Sequence, residues 1–260
     1  MKTLRKRPIV RYHGSKFRIA PWIISYFPEH KVYIEPFGGG AGVLLKKPRS
    51  YAEIYNDLDE EIVNLFMVAR DSGHALKKYL QITPFSRIIY FKAYRGGYSS
   101  LERAANTIIK SQMGFGSDSI RQKSGFRSNS NRSYTTPAHD WSHYPEALKE
   151  ITDRLQGVVI ENMPAIDLIK KYDRPDALFY VDPPYLHSTR QSSKRYSFEM
   201  SDKDHEELSK VLHKVKGKVI VSGYDSALYD NLYSGWDRTT KETLADGAKK
   251  RTEIIWKNFN

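Results

Sequence analysis

Four consecutive residues carry the strongest chemical signal in the chain: Asp182-Pro183-Pro184-Tyr185. They follow an apolar run, Ala177 to Val181, that reads as a buried strand. Two prolines in a row forbid both helix and further ladder pairing, so the strand must stop there. The product is a rigid turn holding a carboxylate, carbonyls with no competing N–H, and an aromatic ring at a strand's C-terminal edge. Open α/β sheets bind their ligands at that edge. A planar group carrying an amine suits this equipment, because the oxygens accept from the amine and the ring stacks on the plane. A plain strand with a proline turn is the bland alternative for the tetrapeptide alone.

A second motif lies far upstream. Val32 to Glu35 reads as a strand, and Pro36-Phe37-Gly38-Gly39-Gly40-Ala41-Gly42 as a glycine turn leading into a short helix at Val43-Leu44-Leu45. Glycines after a strand let backbone approach a nucleotide-like ligand closely. The strict dinucleotide pattern is broken, since Val43 stands where its third glycine belongs. A further strand over 51–55 ends at Asn56-Asp57. Asp57 comes about 20 residues after the glycines, the spacing of an acid that binds ribose hydroxyls.

Taken together, these motifs resemble the Dam-like (D12) class of DNA adenine N6-methyltransferases. Arg11-Tyr12-His13-Gly14-Ser15-Lys16 resembles that family's N-terminal cofactor motif, and Glu35-Pro36-Phe37-Gly38-Gly39-Gly40 its methyl-donor motif. Asn56-Asp57 with Ile62-Val63-Asn64-Leu65-Phe66 resembles its ribose-binding stretch. Asp182-Pro183-Pro184-Tyr185 matches its catalytic motif, and Arg251 to Asn258 its closing strand. The match covers roughly residues 8–70 and 155–258. One departure stands out: the family often has an acid and then Phe after the third strand, where this chain has Glu161-Asn162-Met163.

The elements that must position these residues alternate strand and helix at both ends of the chain. Strands are expected at 32–35, 51–55, 158–161, 177–181 and 218–221, with a closing pair at about 236–243 and 252–258 joined by Ala245-Asp246-Gly247. Helices are expected at 21–27, 60–70, 165–171 and 203–215, the last capped by Ser201 or Asp202. Residues 71–156 break the alternation, with helices expected at 85–94, 101–113 and 144–155. The fold class is therefore α/β: a mostly parallel sheet with helices on both faces and an antiparallel hairpin at one edge. The resemblance implies the seven-stranded, Rossmann-like methyltransferase sheet. It assigns 1–70 and 157–260 to the catalytic and cofactor-binding domain, and 71–156 to an inserted, mainly helical target-recognition domain.

Composition agrees. A formal net charge of +12 suits a polyanionic partner. The absence of cysteine excludes disulfides, thiol catalysis and a cysteine zinc site. The histidines are scattered without convincing metal spacing, and no metal is expected. No long apolar run, amphipathic basic helix or signal region appears, so a cytoplasmic protein without a membrane partner is expected. From Arg103 to His139 the only acid is Asp118, while bases, aromatic rings and amides are interleaved. Phosphates require cations, and base edges require Arg, Asn and Gln. A solvated surface loop has the same composition. The candidate DNA-binding residues are Arg95, Lys110, Arg121, Lys123, Arg127 and Arg132, with Lys194 and Arg195 after the catalytic motif.

The resemblance implies methyl transfer from S-adenosylmethionine to the N6 amine of an adenine flipped out of double-stranded DNA. It places Asp182 and the Pro183 carbonyl on the amine, within the catalytic set Asp182, Pro183, Pro184 and Tyr185, with Tyr185 stacked on the base. The implied cofactor residues are Tyr12, Gly14 and Lys16, the turn Glu35, Pro36, Phe37, Gly38 and Gly40, then Asp57, Asn162 and Asp182. Cytosine N4 methylation uses the same physics, although that group more often has Ser before Pro-Pro-Tyr. RNA or protein-glutamine methylation, and a non-catalytic DNA-binding protein of this fold, are the remaining alternatives.

Overall fold

The structure is a computed structural model that describes residues 7–12, 14–129, 134–186, 198–244 and 250–260. His13, Arg132, Lys194, Arg195 and the Ala245-Asp246-Gly247 turn lie outside the described residues.

The strands are β1 (Val32–Glu35), β2 (Ala52–Asn56), β3 (Val158–Glu161), β4 (Ala177–Val181), β5 (Lys218–Tyr224), β6 (Asp237–Leu244) and β7 (Lys250–Lys257). They form one sheet in the order β3-β2-β1-β4-β5-β7-β6. β1 pairs in parallel with both β2 and β4, and β4 with β5. β7 runs antiparallel between β5 and β6, which gives the expected edge hairpin. Every residue of β1 and β4 is buried, as a near-continuous apolar run in a parallel sheet centre requires.

The helices are α1 (Ala20–Ile24), α2 (Glu60–Asp71), α3 (Gly73–Gln81), α4 (Arg87–Lys92), α5 (Ser100–Met113), α6 (Pro137–Ser142), α7 (Tyr144–Leu155), α8 (Ala165–Tyr172), α9 (Asp202–Leu212) and α10 (Ala227–Leu232). Ser201 caps α9 through a reciprocal pair with Asp204, as the sequence suggested. α3, α6 and α10 were not anticipated. α3 opens on Ser72-Gly73, which reads as a break; Gly73 is needed because a Cβ there would meet Thr152 Oγ1 of α7 at 2.3 Å. The short helix expected at Val43–Leu45 is instead a run of turns, closed by single bonds such as Leu45 N–H to the Ala41 carbonyl at 3.0 Å.

The chain divides into two compact units. The sheet unit comprises Arg18–Gly38, Lys47–Leu58 and Glu161–Asn260. On one sheet face, Val32, Ile34, Phe179, Val181, Val219 and Val221 pack with Leu168, Ile169, Leu208, Leu212, Tyr229 and Tyr233 of the α8–α10 segment. The opposite face carries buried polar side chains, including Tyr33, Glu35, Tyr180 and Ser222. The helical unit comprises the segment ending at Phe17, Gly39–Lys46 and Asp59–Ile160. Its core joins α2, α3, α5 and α7 through Ile62, Phe66, Leu76, Leu80, Ile108, Leu148 and Ile151. It is wider than the 71–156 insertion read from the sequence. α2 and the N-terminal arm belong with the helices because their apolar faces pack there. Among the described residues no helix is long and apolar enough to cross a membrane.

Candidate active site and nucleic-acid surface

The strand order reverses between β1 and β4, and such a reversal is where open α/β sheets bind ligands. Both motifs of the sheet unit end at this point: Glu35 closes β1, and Asp182 follows β4 directly. Ser222 Oγ donates to Asp182 Oδ1 at 2.8 Å, and the Tyr180 hydroxyl lies 3.0 Å from Ser222 Oγ. The Tyr185 ring packs on Tyr224 with centroids 4.3 Å apart and planes tilted by 30°. The Arg251 guanidinium lies 5.1 Å over the other partner's ring, that of Tyr224. Ser222 and Tyr224 were missed because the strand was read as stopping at Val221. β5 runs three residues further, and period-two alternation then puts Ile220, Ser222 and Tyr224 on one face.

Glu35 is buried, and its Oε1 accepts from the Tyr33 hydroxyl at 2.6 Å. Burial first, and the Glu35 charge next, push the Tyr33 phenol well above its ordinary pKa, so it remains the donor. The turn after Glu35 is held by Asn56, whose side chain is wholly buried. Asn56 Nδ2 donates to the Pro36 carbonyl at 2.8 Å and to the Met163 carbonyl at 3.0 Å. Its Oδ1 accepts from Met163 N–H at 3.0 Å, and its own carbonyl from Gly38 N–H at 2.7 Å. One residue at the end of β2 thus ties together the segments that follow β1 and β3. A Cβ on Gly38 would meet the Tyr55 ring at 2.1 Å, so only glycine lets the turn lie against that ring. Phe37 packs on the apolar core.

Asp57 follows β2 and is partly exposed. Asn162 donates its amide to the Asp57 carbonyl at 2.7 Å, so it braces the backbone of the acid. Glu161 accepts from Lys171 and Tyr172, each at 2.7 Å, and the Lys171 bond holds its carboxyl below the usual range. Among the described residues no group of three or more His, Asp or Glu side chains is arranged to hold a metal ion.

In the helical unit, the Tyr12 ring lies on the glycine turn: a Cβ on Gly39 would meet it at 2.8 Å, and one on Gly40 at 3.0 Å. Gly14 adopts φ +74°, and its carbonyl accepts from buried Lys16 Nζ at 3.2 Å. Arg121, expected on the DNA side, is turned inward. It stacks 4.9 Å from the Tyr12 ring centroid, donates to the Tyr12 hydroxyl and pairs with Asp59 at 3.3 Å. Asp59 also caps α2, accepting from Glu61 N–H at 3.1 Å.

The basic segment is an anchored loop. A bridge between Gly114 and Phe126 closes its base, with bonds of 2.8 Å from Phe115 N–H to the Gly125 carbonyl and from Arg127 N–H to the Met113 carbonyl. Tyr90 donates to the Ser124 carbonyl at 2.9 Å and Tyr94 to that of Ser119. Arg127 Nη1 donates to the Gln112 carbonyl at 2.9 Å, and Lys110 lies 5.3 Å over the Tyr94 ring with its pKa lowered by burial. Arg95 and Lys123 are exposed, Lys123 lying 4.5 Å over the Phe91 ring.

The model of the D12 class of N6 adenine-specific DNA methyltransferases matches residues 12–251. The DNA N-6-adenine-methyltransferase of Escherichia phage P1 is 30% identical over 102 residues, which is 39% of this chain and 13% of that protein. The Type II methyltransferase M.MjaIII of Methanocaldococcus jannaschii is 19% identical over 258 residues, 89% of each chain. The DNA adenine methylase of Haemophilus influenzae is 23% identical over 276 residues, covering 96% of this chain and 92% of that one. The family match spans most of the sequence and both units, and the chain belongs to the D12 class of N6 adenine-specific DNA methyltransferases.

Proposed function

We propose that this family member methylates adenine N6 in double-stranded DNA with S-adenosylmethionine as donor, and that the chemistry takes place at the end of β4. The observation that carries this reading is the placement of Glu35 and Asp182 at the ends of the two strands where the sheet order reverses. The residues suit the donor. A glycine turn pressed onto Tyr55, a buried carboxylate at Glu35 and a partly exposed acid at Asp57 form the equipment of a nucleoside site. In this reading Glu35, Pro36, Phe37, Gly38 and Gly40 serve the methionine end and Asp57 the ribose, while Tyr12, Gly14 and Lys16 contribute from the N-terminal motif. S-adenosylmethionine, when bound, supplies a methyl group already activated on a sulfonium.

The protein's task is then orientation. Asp182 accepts one N–H of the target amine and the Pro183 carbonyl the other. Together they draw the nitrogen lone pair out of conjugation and stabilise positive charge as it develops. The target base must leave the duplex to reach them. Tyr185, whose ring packs on Tyr224, is the side chain assigned to stack on it. Residues 71–156 supply the target-recognition segment, and Arg95 and Lys123 are the exposed members of its candidate DNA-binding set among the described residues.

The test is to incubate the purified protein with S-adenosylmethionine and unmodified DNA, then map modified bases by sequencing. N6-methyladenine is expected. N4-methylcytosine, or no modification by protein that binds both ligands, would sink the reading.

A further inference from the structure

Asp182 does not stand alone at the end of β4. An ionised carboxylate can only accept, so the 2.8 Å contact requires the Ser222 hydroxyl proton to point at Oδ1. That hydroxyl has one proton. At its 3.0 Å contact with Tyr180 it must therefore accept, and the phenol must donate. The chain of bonds has a direction, from Tyr180 O–H to Ser222 O–H to the carboxylate. Tyr180 is suited to its end of the chain. Burial first, and the Asp182 charge next, push its pKa well above that of an ordinary phenol, so it keeps its proton.

The pleat explains why these three side chains meet. Tyr180 and Asp182 are two residues apart and project to the same sheet face. Parallel pairing of Val181 with Val221 brings Ser222 alongside Asp182. Ser222 is 1% exposed and Tyr180 3%, so bulk water does not compete for these bonds. Buried hydroxyls bonded in series polarise and strengthen one another.

We propose that Ser222 and Tyr180 are positioning residues that lock the rotation of the Asp182 carboxylate, so that it meets the target amine without reorganising. This rests on the reading of Asp182 as the amine's acceptor. Neither residue touches the base; each acts through Asp182.

The test uses the full chain, unmodified adenine-containing DNA and saturating S-adenosylmethionine. It compares single-turnover methylation with cofactor affinity measured by calorimetry. Ser222→Ala should slow methylation about tenfold to a hundredfold, the cost of a displaced catalytic group, with the cofactor dissociation constant unchanged within about twofold. Ser222→Thr keeps the hydroxyl and should restore most of the rate. Tyr180→Phe removes only the outer bond and should cost about threefold to tenfold. Adding Ser222→Ala to Asp182→Ala should cost nothing further, because both act as one unit.

A Ser222→Ala rate near wild type, beside a crippled Asp182→Ala, would overturn the proposal while sparing the acceptor reading. An Asp182→Ala rate within about tenfold of wild type would overturn the acceptor reading itself. An additive double variant would show that Ser222 acts elsewhere and would also overturn the proposal. Should Ser222→Ala lose cofactor binding, Tyr180→Phe decides: slowed methylation with intact cofactor affinity supports the relay, and an unchanged rate overturns it.

Discussion

At the end of β4 a carboxylate oxygen of Asp182 sits 2.8 Å from a buried hydroxyl that is itself bonded to a buried phenol. On the helical unit, Lys123 lies in solvent over Phe91, and Arg95 stands exposed where a short 3₁₀ turn ends. The two regions meet different demands. A group that must face a developing charge needs one fixed geometry, which buried hydrogen bonds on sheet strands supply. A cation that neutralises a phosphate needs reach and adaptability, and a rigid scaffold with exposed side chains supplies those. Even so, the basic loop is closed by the Gly114–Phe126 bridge and tied down by Tyr90 and Tyr94, so its scaffold is fixed even where a charge such as Lys123 faces solvent.

The sharpest break in this comparison comes from removing the fixed group. Asp182→Ala should lower the single-turnover methylation rate by at least about 10²–10³, as loss of a transition-state acceptor does, while leaving cofactor binding largely intact. Quenched single-turnover assays beside calorimetry with cofactor alone check both halves. A rate within about tenfold of wild type would move the chemistry away from β4.

Next in size is the brace beneath the glycine turn. Asn56→Ala strips partners from the Pro36 carbonyl and from both backbone groups of Met163. Leaving buried polar groups unpaired should destabilise the fold by about 2–4 kcal/mol, read as a lower denaturant midpoint. Cofactor affinity should fall as well, since the turn loses its position. An Asn56→Ala protein as stable as wild type would show that the brace is redundant.

The regular frame was legible because its signals are local. β1, β3 and β4 fall at the residues read from the sequence, since these apolar runs are too short for a typical helix and are closed off by glycine or proline nearby. α9 starts where Ser201 and Asp204 form a capping pair. The missing parts depend on partners distant in sequence. Nothing near Ser222 announces that it will face Asp182, which takes the register of β4 against β5. Arg121 sits in a basic stretch, and composition assigned it to DNA. Only the fold brings it to Tyr12 and Asp59, where its charge is already used. Asn56 was read as part of a motif, but its role as a tie requires knowing that the segments after β1 and β3 converge on it.

Asp57 and Asp59 offer a finer comparison, two residues apart. Asp59 caps α2 and pairs with Arg121, while Asp57 follows β2 directly and is partly exposed. Asp57→Ala should therefore weaken S-adenosylmethionine binding about tenfold to a hundredfold, the worth of a hydrogen bond to a charged group, and leave DNA affinity unchanged. Asp59→Ala should instead lower thermal stability by about 1 kcal/mol through the lost cap. Equal cofactor affinity in wild type and Asp57→Ala would remove Asp57 from the ribose role.

The smallest effect separates cations that face solvent from those turned inward. Arg95 and Lys123 are exposed, so on binding DNA each displaces at most about one phosphate counterion, and log affinity against log salt loses about 0.9 in slope per contact. Arg95→Ala with Lys123→Ala should thus flatten the slope by up to about 1.8, weaken binding most at low salt, and leave cofactor affinity untouched. Arg121→Ala should do the reverse. Its guanidinium lies against the Tyr12 ring and pairs with Asp59, both within the helical unit. Its loss should keep the salt slope and disturb Tyr12, so cofactor affinity falls. Salt titrations of the two proteins in parallel distinguish these outcomes. A flattened slope for Arg121→Ala would mean that its ion pair opens when DNA binds, and the division between fixed and adaptable charge would then run through Arg121 itself.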